Sequence, residues 1–446
     1  MRPLAIGLLM LAVAGFVPAE VGSRPHPELL YTVARRYEPL AWVEGEERFS
    51  AGASIFIQDA SGRRRLLPSF AASADPTVSF DGKNVLFSGK LAVGEAWQIW
   101  EMPLEGGDPR RITNCKDDCV RPLYLPEDRI VYGERVGKRF VIQTVDISGG
   151  KLLPLTYGVE SSLPTDVLRD GRVLFESASP FGSAPEIFTV YTDGSGVESY
   201  RCDHGTARHS GKQVASGDIV FAAQSGLARF TSALAKQVDI SVPAGDYAGD
   251  IAETLSGEWL LAWRRDQNSL YQLMKWSPGK NTALRPAVKE QGSNVLEPVL
   301  ITERIPPNRH PSGLHDWPNA NLLCLNAYTS KYKFAASSIQ SVRLYTRDAA
   351  GNVQLLGSAP VEADGSFFVQ VTGDQPMQIE LLNGRGETLK REAGWFWLRR
   401  GEQRACVGCH AGSETAPENA VPMILLRSTT PADLTHAASQ ASAGGH

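Results

Sequence analysis

The sequence predicts an all-β chain: a six-bladed β-propeller followed by a small β-sandwich-like domain. Three observations carry that expectation. Residues from about 28 to 305 repeat a unit of roughly 40–47 residues, the period of propeller blades. A proline-rich break, Ile305-Pro306-Pro307-Asn308-Arg309-His310-Pro311-Ser312-Gly313-Leu314-His315-Asp316-Trp317-Pro318, ends the repeat, because such a run cannot continue a sheet. Beyond it, short runs alternating apolar and polar residues are separated by Gly-containing turns, the pattern of an antiparallel sandwich.

The repeat is clearest in one copy. It opens with Asp75-Pro76-Thr77-Val78-Ser79-Phe80-Asp81-Gly82, read as a turn, and continues with Val85 to Gly89 as a strand. A second strand follows at Trp97 to Met102, then the turn Gly106-Gly107 and an edge strand ending Arg111-Ile112-Thr113. The same order recurs at Arg121-Pro122 with Asp128 to Tyr132 and Phe140 to Val145, and at Pro164-Thr165 with Val173 to Glu176 and Glu186 to Tyr191. Two further copies hold Ile219 to Phe221 and Trp259 to Trp263. Ile55 to Ile57 and Val295 to Ile301 supply a closing blade, into which the strand near Leu29 to Val33 is expected to pair so that no sheet edge stays open.

After the break, Ser341 to Thr346, Val353 to Ala359, Gly365 to Val371 and Gln378 to Leu382 read as the sandwich strands. A last strand near Trp395-Phe396-Trp397-Leu398 leads through Arg399 to Gln403 into Cys406-Val407-Gly408-Cys409-His410. That C-x-x-C-H spacing is the attachment signature of a c-type haem. The two thiols fit one turn of helix, so both add to the vinyl groups of one haem, and the adjacent His410 lies beneath the iron as axial ligand. The fold class therefore ends in a c-type haem-binding segment.

Such attachment occurs outside the cytoplasm, and the N-terminus fits. Arg2 precedes the apolar run Leu4 to Val17, and Val17-Pro18-Ala19 offers small residues for signal cleavage after Ala19. About fourteen apolar residues fall short of the roughly 20 needed to span a bilayer, so no membrane span is expected after cleavage and the location is periplasmic or otherwise exported. The formal net charge of -4 argues against nucleic-acid partners. In an oxidising compartment Cys115 and Cys119, inside Asn114 to Cys119, form a candidate disulfide; spacing pairs neither Cys202 nor Cys324.

Asp75 to Thr113 resembles the TolB-type six-bladed propeller repeat. Leu322-Leu323-Cys324-Leu325-Asn326, Glu362-Ala363-Asp364-Gly365-Ser366-Phe367-Phe368-Val369 and Gly401-Glu402-Gln403-Arg404-Ala405-Cys406-Val407-Gly408-Cys409-His410 then resemble the hydrazine synthase alpha subunit-like family, over its N-terminal propeller and middle domain. The resemblance implies one covalent haem on Cys406 and Cys409 with His410 beside them. It stops short of the family's C-terminal haem domain, and Glu414 stands where the family has an iron-ligating tyrosine, so hydrazine formation is not part of the expected activity. The domains expected are a signal peptide at 1–19, the propeller at 20–305, the middle-domain-like unit at 306–430 and a disordered tail at 431–446.

The expected function is that of an exported monohaem c-type cytochrome exchanging electrons with a redox partner protein. The alternatives are a haem-dependent oxidoreductase subunit acting on a small molecule, and a binding propeller with a structural haem. The second axial ligand decides between the first two. Met423 is the nearest candidate, followed by His310 and His315; His204, in Cys202-Asp203-His204-Gly205, reads as a structural loop residue. Arg399, Arg400 and Arg404 are candidates to pair haem propionates. Trp395, Phe396 and Trp397 are expected to pack one face on the porphyrin and the other on the sandwich.

Overall fold

The computed structural model describes residues 29–436 apart from 179–183, 202–204, 225, 234, 281, 289, 349, 410–415 and 417. The expected signal peptide, Cys202, His204, His410, Glu414 and the tail beyond residue 436 lie outside the described residues.

Six four-stranded sheets form the propeller. The first blade runs Ala72–Val78, Asn84–Lys90, Gln98–Pro103 and Arg110–Arg111; the second Cys119–Leu125, Arg129–Val136, Arg139–Asp146 and Leu153–Pro154. Blades three, four and five open with Ser162–Val167, Arg208–Gln213 and Asp246–Glu253. The sixth takes its inner strand, Asn294–Leu300, from the end of the repeat and its outer three, Leu29–Ala34, Ala53–Asp59 and Gly62–Arg65, from the beginning. Each blade packs on the next and the sixth packs back on the first, so the ring is locked by the pairing of Leu29–Ala34 with Asn294–Leu300.

The segments Asp75-Pro76 and Arg121-Pro122, expected as turns, lie inside inner strands. The reason is a bulge repeated from blade to blade. Asp75, Arg121, Ser210 and Glu297 have φ of 54, 53, 53 and 53°, and the strand register shifts at all four of these positions. A proline is tolerated there because its missing N–H falls where the ladder is already broken. The left-handed residue turns its own N–H towards a neighbouring blade. Asp75 donates to Glu297 Oε2 at 2.9 Å, Arg121 to Asp75 Oδ2 at 3.2 Å and Ser210 to Glu176 Oε2 at 2.8 Å. The strain of φ near 53° is offset by these buried bonds to carboxyl groups around the axis.

The chain between Leu29–Ala34 and Ala53–Asp59 fills one mouth of the ring. Tyr37, Trp42 and Phe49 are buried against Trp97, Phe140 and Tyr271 from other blades. Arg48 enters the axis from this segment and meets Asp75 at 3.1 Å and Glu297 at 3.0 Å. In the second blade Cys115 and Cys119 are joined by a disulfide.

Two sheets then stack around one apolar core that includes Leu322, Val342, Leu344, Phe367, Val369 and Leu381. One holds Ser341–Arg347, Val353–Pro360, Gln375–Leu382, Thr388–Arg391 and Phe396–Leu398. The other has the order Gln403–Cys406, Asn319–Cys324, Phe367–Thr372, Ala432–Asp433. The expected purely antiparallel sandwich is corrected here, because both outer strands of this second sheet pair in parallel. The expected tail is corrected too: Ala432–Asp433 adds to the strand Phe367–Thr372 and Leu434 is buried in the core, so order extends past residue 431.

Candidate functional site

The motif is held by backbone contacts that run outward from the linker. Asn308 N–H donates to the Arg169 carbonyl at 2.9 Å, fastening the proline-rich segment to the third blade. Further on, His315 N–H donates to the Gly401 carbonyl at 3.1 Å and Gly401 N–H to the Asn319 carbonyl at 2.9 Å. Gly401 sits at φ +75°, and a Cβ there would overlap the His315 carbonyl, so only glycine fits.

Gln403–Cys406 is then a strand, parallel to Asn319–Cys324, and Cys406 stands in register with Cys324. Residues 407–409 are bends, so the expected helical turn across the two thiols is replaced by a strand end and a loop. The cause is close packing. Leu325 N–H donates to the Cys406 carbonyl at 2.9 Å, and a Cβ on Gly408 would overlap the Thr329 carbonyl oxygen and stand 2.8 Å from that of Asn326. A helix cannot form where the backbone is pinned flat against the neighbouring strand's exit loop.

Trp397, Arg399 and Glu402 join this unit to the third blade. The Trp397 indole donates to the Gly194 carbonyl at 3.1 Å, and Arg399 Nε donates to the Asp193 carbonyl at 2.9 Å while its Nη1 meets Asp374 at 2.9 Å. Glu402 accepts from Arg399 N–H at 2.7 Å, Gly196 N–H at 3.2 Å and Arg404 Nε at 2.8 Å. Trp397 belongs to the apolar core of the propeller blades, a correction to the expected packing on the sandwich. Phe396 touches both cores.

At this seam lies a cavity of about 300 Å³. Cys406, Cys409, Cys324, Arg404, Trp395 and Trp397 line it from the sandwich side; Phe175, Phe188, Val197 and Glu160 line it from the propeller. Cys324, Cys406 and Cys409 are free thiols. Its hydrogen bond with Cys409, together with burial, pushes the Cys324 thiol well above its ordinary range. Burial also raises the Cys406 thiol and the Glu160 carboxyl.

Other expected ligands stand elsewhere. Met423 opens a five-residue helix, Met423–Arg427, whose first N–H groups are tied to Asp364 Oδ2 at 2.7 Å and Ser366 Oγ at 3.0 Å; its side chain is exposed and does not line the cavity. His310 stacks on Tyr191 with ring centroids 3.8 Å apart, and His315 stacks on Trp317 at 4.7 Å. Neither lines the cavity. Of the three arginines, Arg399 and Arg404 are engaged by Asp374 and Glu402, and Arg400 is exposed beside Asp374 at 3.4 Å. Cys324, Glu160 and Glu402 are the residues sequence reasoning missed. For Cys324 a signal existed, in the apolar run Leu322-Leu323-Cys324-Leu325 before the turn at Asn326.

The hydrazine synthase alpha subunit middle domain matches residues 326–411, from the loop beneath Gly408 through the motif. The hydrazine synthase subunit alpha of Kuenenia stuttgartiensis is 38% identical over 85 residues, 19% of this chain and 10% of that subunit. The solved Kuenenia stuttgartiensis hydrazine synthase superposes on 90% of this chain and 71% of its own with a TM-score of 0.77, at 16% identity. Over residues 326–411 this chain is hydrazine synthase alpha-like. The curated match spans only a tenth of that subunit's length, and the middle-domain match includes Cys406 and Cys409, which line the cavity.

Proposed function

We propose that this chain is an exported c-type haem protein, with one haem bound covalently through Cys406 and Cys409, His410 as axial ligand, and electrons exchanged with a redox partner protein. The observation that carries the reading is the pair of free motif thiols lining one cavity with the aromatic rings of Phe175, Phe188, Trp395 and Trp397. Soft thiols beside an aromatic-walled cavity suit a flat apolar macrocycle. A haem held there supplies one-electron exchange at its iron. Arg404, held by Glu402, stands on the lining of the cavity. Export is supported by the apolar run Leu4 to Val17 and by the Cys115–Cys119 disulfide, a bond that persists in oxidising compartments.

A second reading, redox chemistry on a small molecule, is supported by two observations. Met423 stands outside the cavity, and Glu160, whose carboxyl is raised by burial, stands inside it as a proton-holding group.

Mass spectrometry of the exported protein made with a working haem-attachment system tests the first claim. One covalent haem on the 405–427 tryptic peptide is expected, and a haem-free mass overturns it. The ferrous protein then separates the readings: a low-spin spectrum indifferent to carbon monoxide supports electron transfer, and ready carbon monoxide binding supports the small-molecule reading.

A further inference from the structure

Cys324 takes no part in the C-x-x-C-H spacing or in the Cys115–Cys119 disulfide, yet the fold brings it to the motif. Parallel pairing sets it in register with Cys406, and Cys324 and Cys409 are both buried in the same core cluster. It is 2% exposed, and all three cysteines line the same cavity. Backbone contacts build this approach: the Leu325 N–H bond to Cys406 and the seating of Gly408 on Asn326 and Thr329 press the motif loop onto the end of the Cys324 strand. Two thiols held in contact have a high effective concentration for one another, which favours intramolecular exchange over mixed products.

We propose that Cys324 is a redox latch on the motif, forming a disulfide with Cys409 in the haem-free chain and withholding that thiol until it is reduced. The oxidant is another disulfide. One Cys thiolate attacks it and expels one thiol, and the second Cys then displaces the other, so two electrons pass to the reagent, which leaves as two thiols carrying the two protons. A dithiol reductant reverses the step and frees Cys409. The latch itself rests only on the three thiols; its consequence for cofactor attachment rests on the haem reading above.

The haem-free full-length chain is equilibrated with excess glutathione disulfide, alkylated, digested and fragmented in a mass spectrometer. A Cys324–Cys409 cross-link with Cys406 alkylated is expected. A Cys406–Cys409 pair, a Cys324–Cys406 pair or three alkylated cysteines overturns the proposal. In cells, added thiol reductant should raise haem attachment several-fold in wild type and leave Cys324→Ser unchanged; equal stimulation of both overturns the latch. If no haem attaches under any condition, the haem reading fails, and the cross-link map still decides whether the latch forms.

Discussion

The indole N–H of Trp397 donates to the Gly194 carbonyl at 3.1 Å, so a residue of the sandwich is pinned into the third propeller blade. Trp397 is 4% exposed and packs with Leu125, Val131 and Phe175. Trp397→Phe keeps most of the apolar contact and loses the bond, with an expected cost of about 1 kcal/mol. Trp397→Ala is expected to cost about 3–5 kcal/mol. Denaturant titration of the full chain measures both; equal costs for the two variants would show that the hydrogen bond, and not the packing, dominates.

Gly408 has no room for a side chain. Gly408→Ala forces the motif loop away from Asn326 and Thr329, at an expected cost of about 1–3 kcal/mol. The covalent haem content of the exported protein should fall with it. Full haem loading and an unchanged thermal midpoint would show that this packing is dispensable.

Glu297 gives the propeller a pH dependence of known sign. Burial, with Asp75 beside it, pushes its carboxyl up to about 8. The folded chain thus holds this proton more tightly than the unfolded chain, whose glutamates titrate near about 4.3. Its contribution is fully present below about pH 4 and is lost as pH rises towards about 8. Glu297→Gln imitates the protonated form, so the variant should lose stability less steeply than wild type between about pH 5 and 8. Parallel stability curves across that window would refute the assignment.

The Cys115–Cys119 disulfide closes a short loop at the start of the second blade's inner strand, where Cys119 is fully buried. Loop-closure entropy for so few residues amounts to about 2 kcal/mol. The double substitution Cys115→Ser, Cys119→Ser should lower stability by about that amount and abolish the effect of reductant on this blade. A thermal midpoint equal to that of the oxidised wild type would count against it.

Much of the ring was legible in the sequence because strand alternation and Asp-Gly or Gly-Gly turns are local signals. Asp75-Pro76 was misread for an equally physical reason: proline normally marks a strand's end, and only the bulge, with the Asp75 N–H turned to Glu297, makes room for it. The parallel strands Asn319–Cys324 and Gln403–Cys406 were not legible, since neither is long enough to show a period and their pairing joins residues about eighty positions apart.

By itself the sequence supplied the two thiols and the imidazole of Cys406 to His410 on which the proposed haem attachment rests, because a five-residue spacing is a property of the chain alone. It also determined the propeller, through repetition. Tertiary structure decided what surrounds those thiols. It set Cys324 beside Cys409, put Glu160 and Phe175 across the cavity, and left Met423 on the surface. Those neighbours come from strands and blades far apart in the chain, and contacts of that kind are fixed only when the two domains close on Trp397 and Glu402.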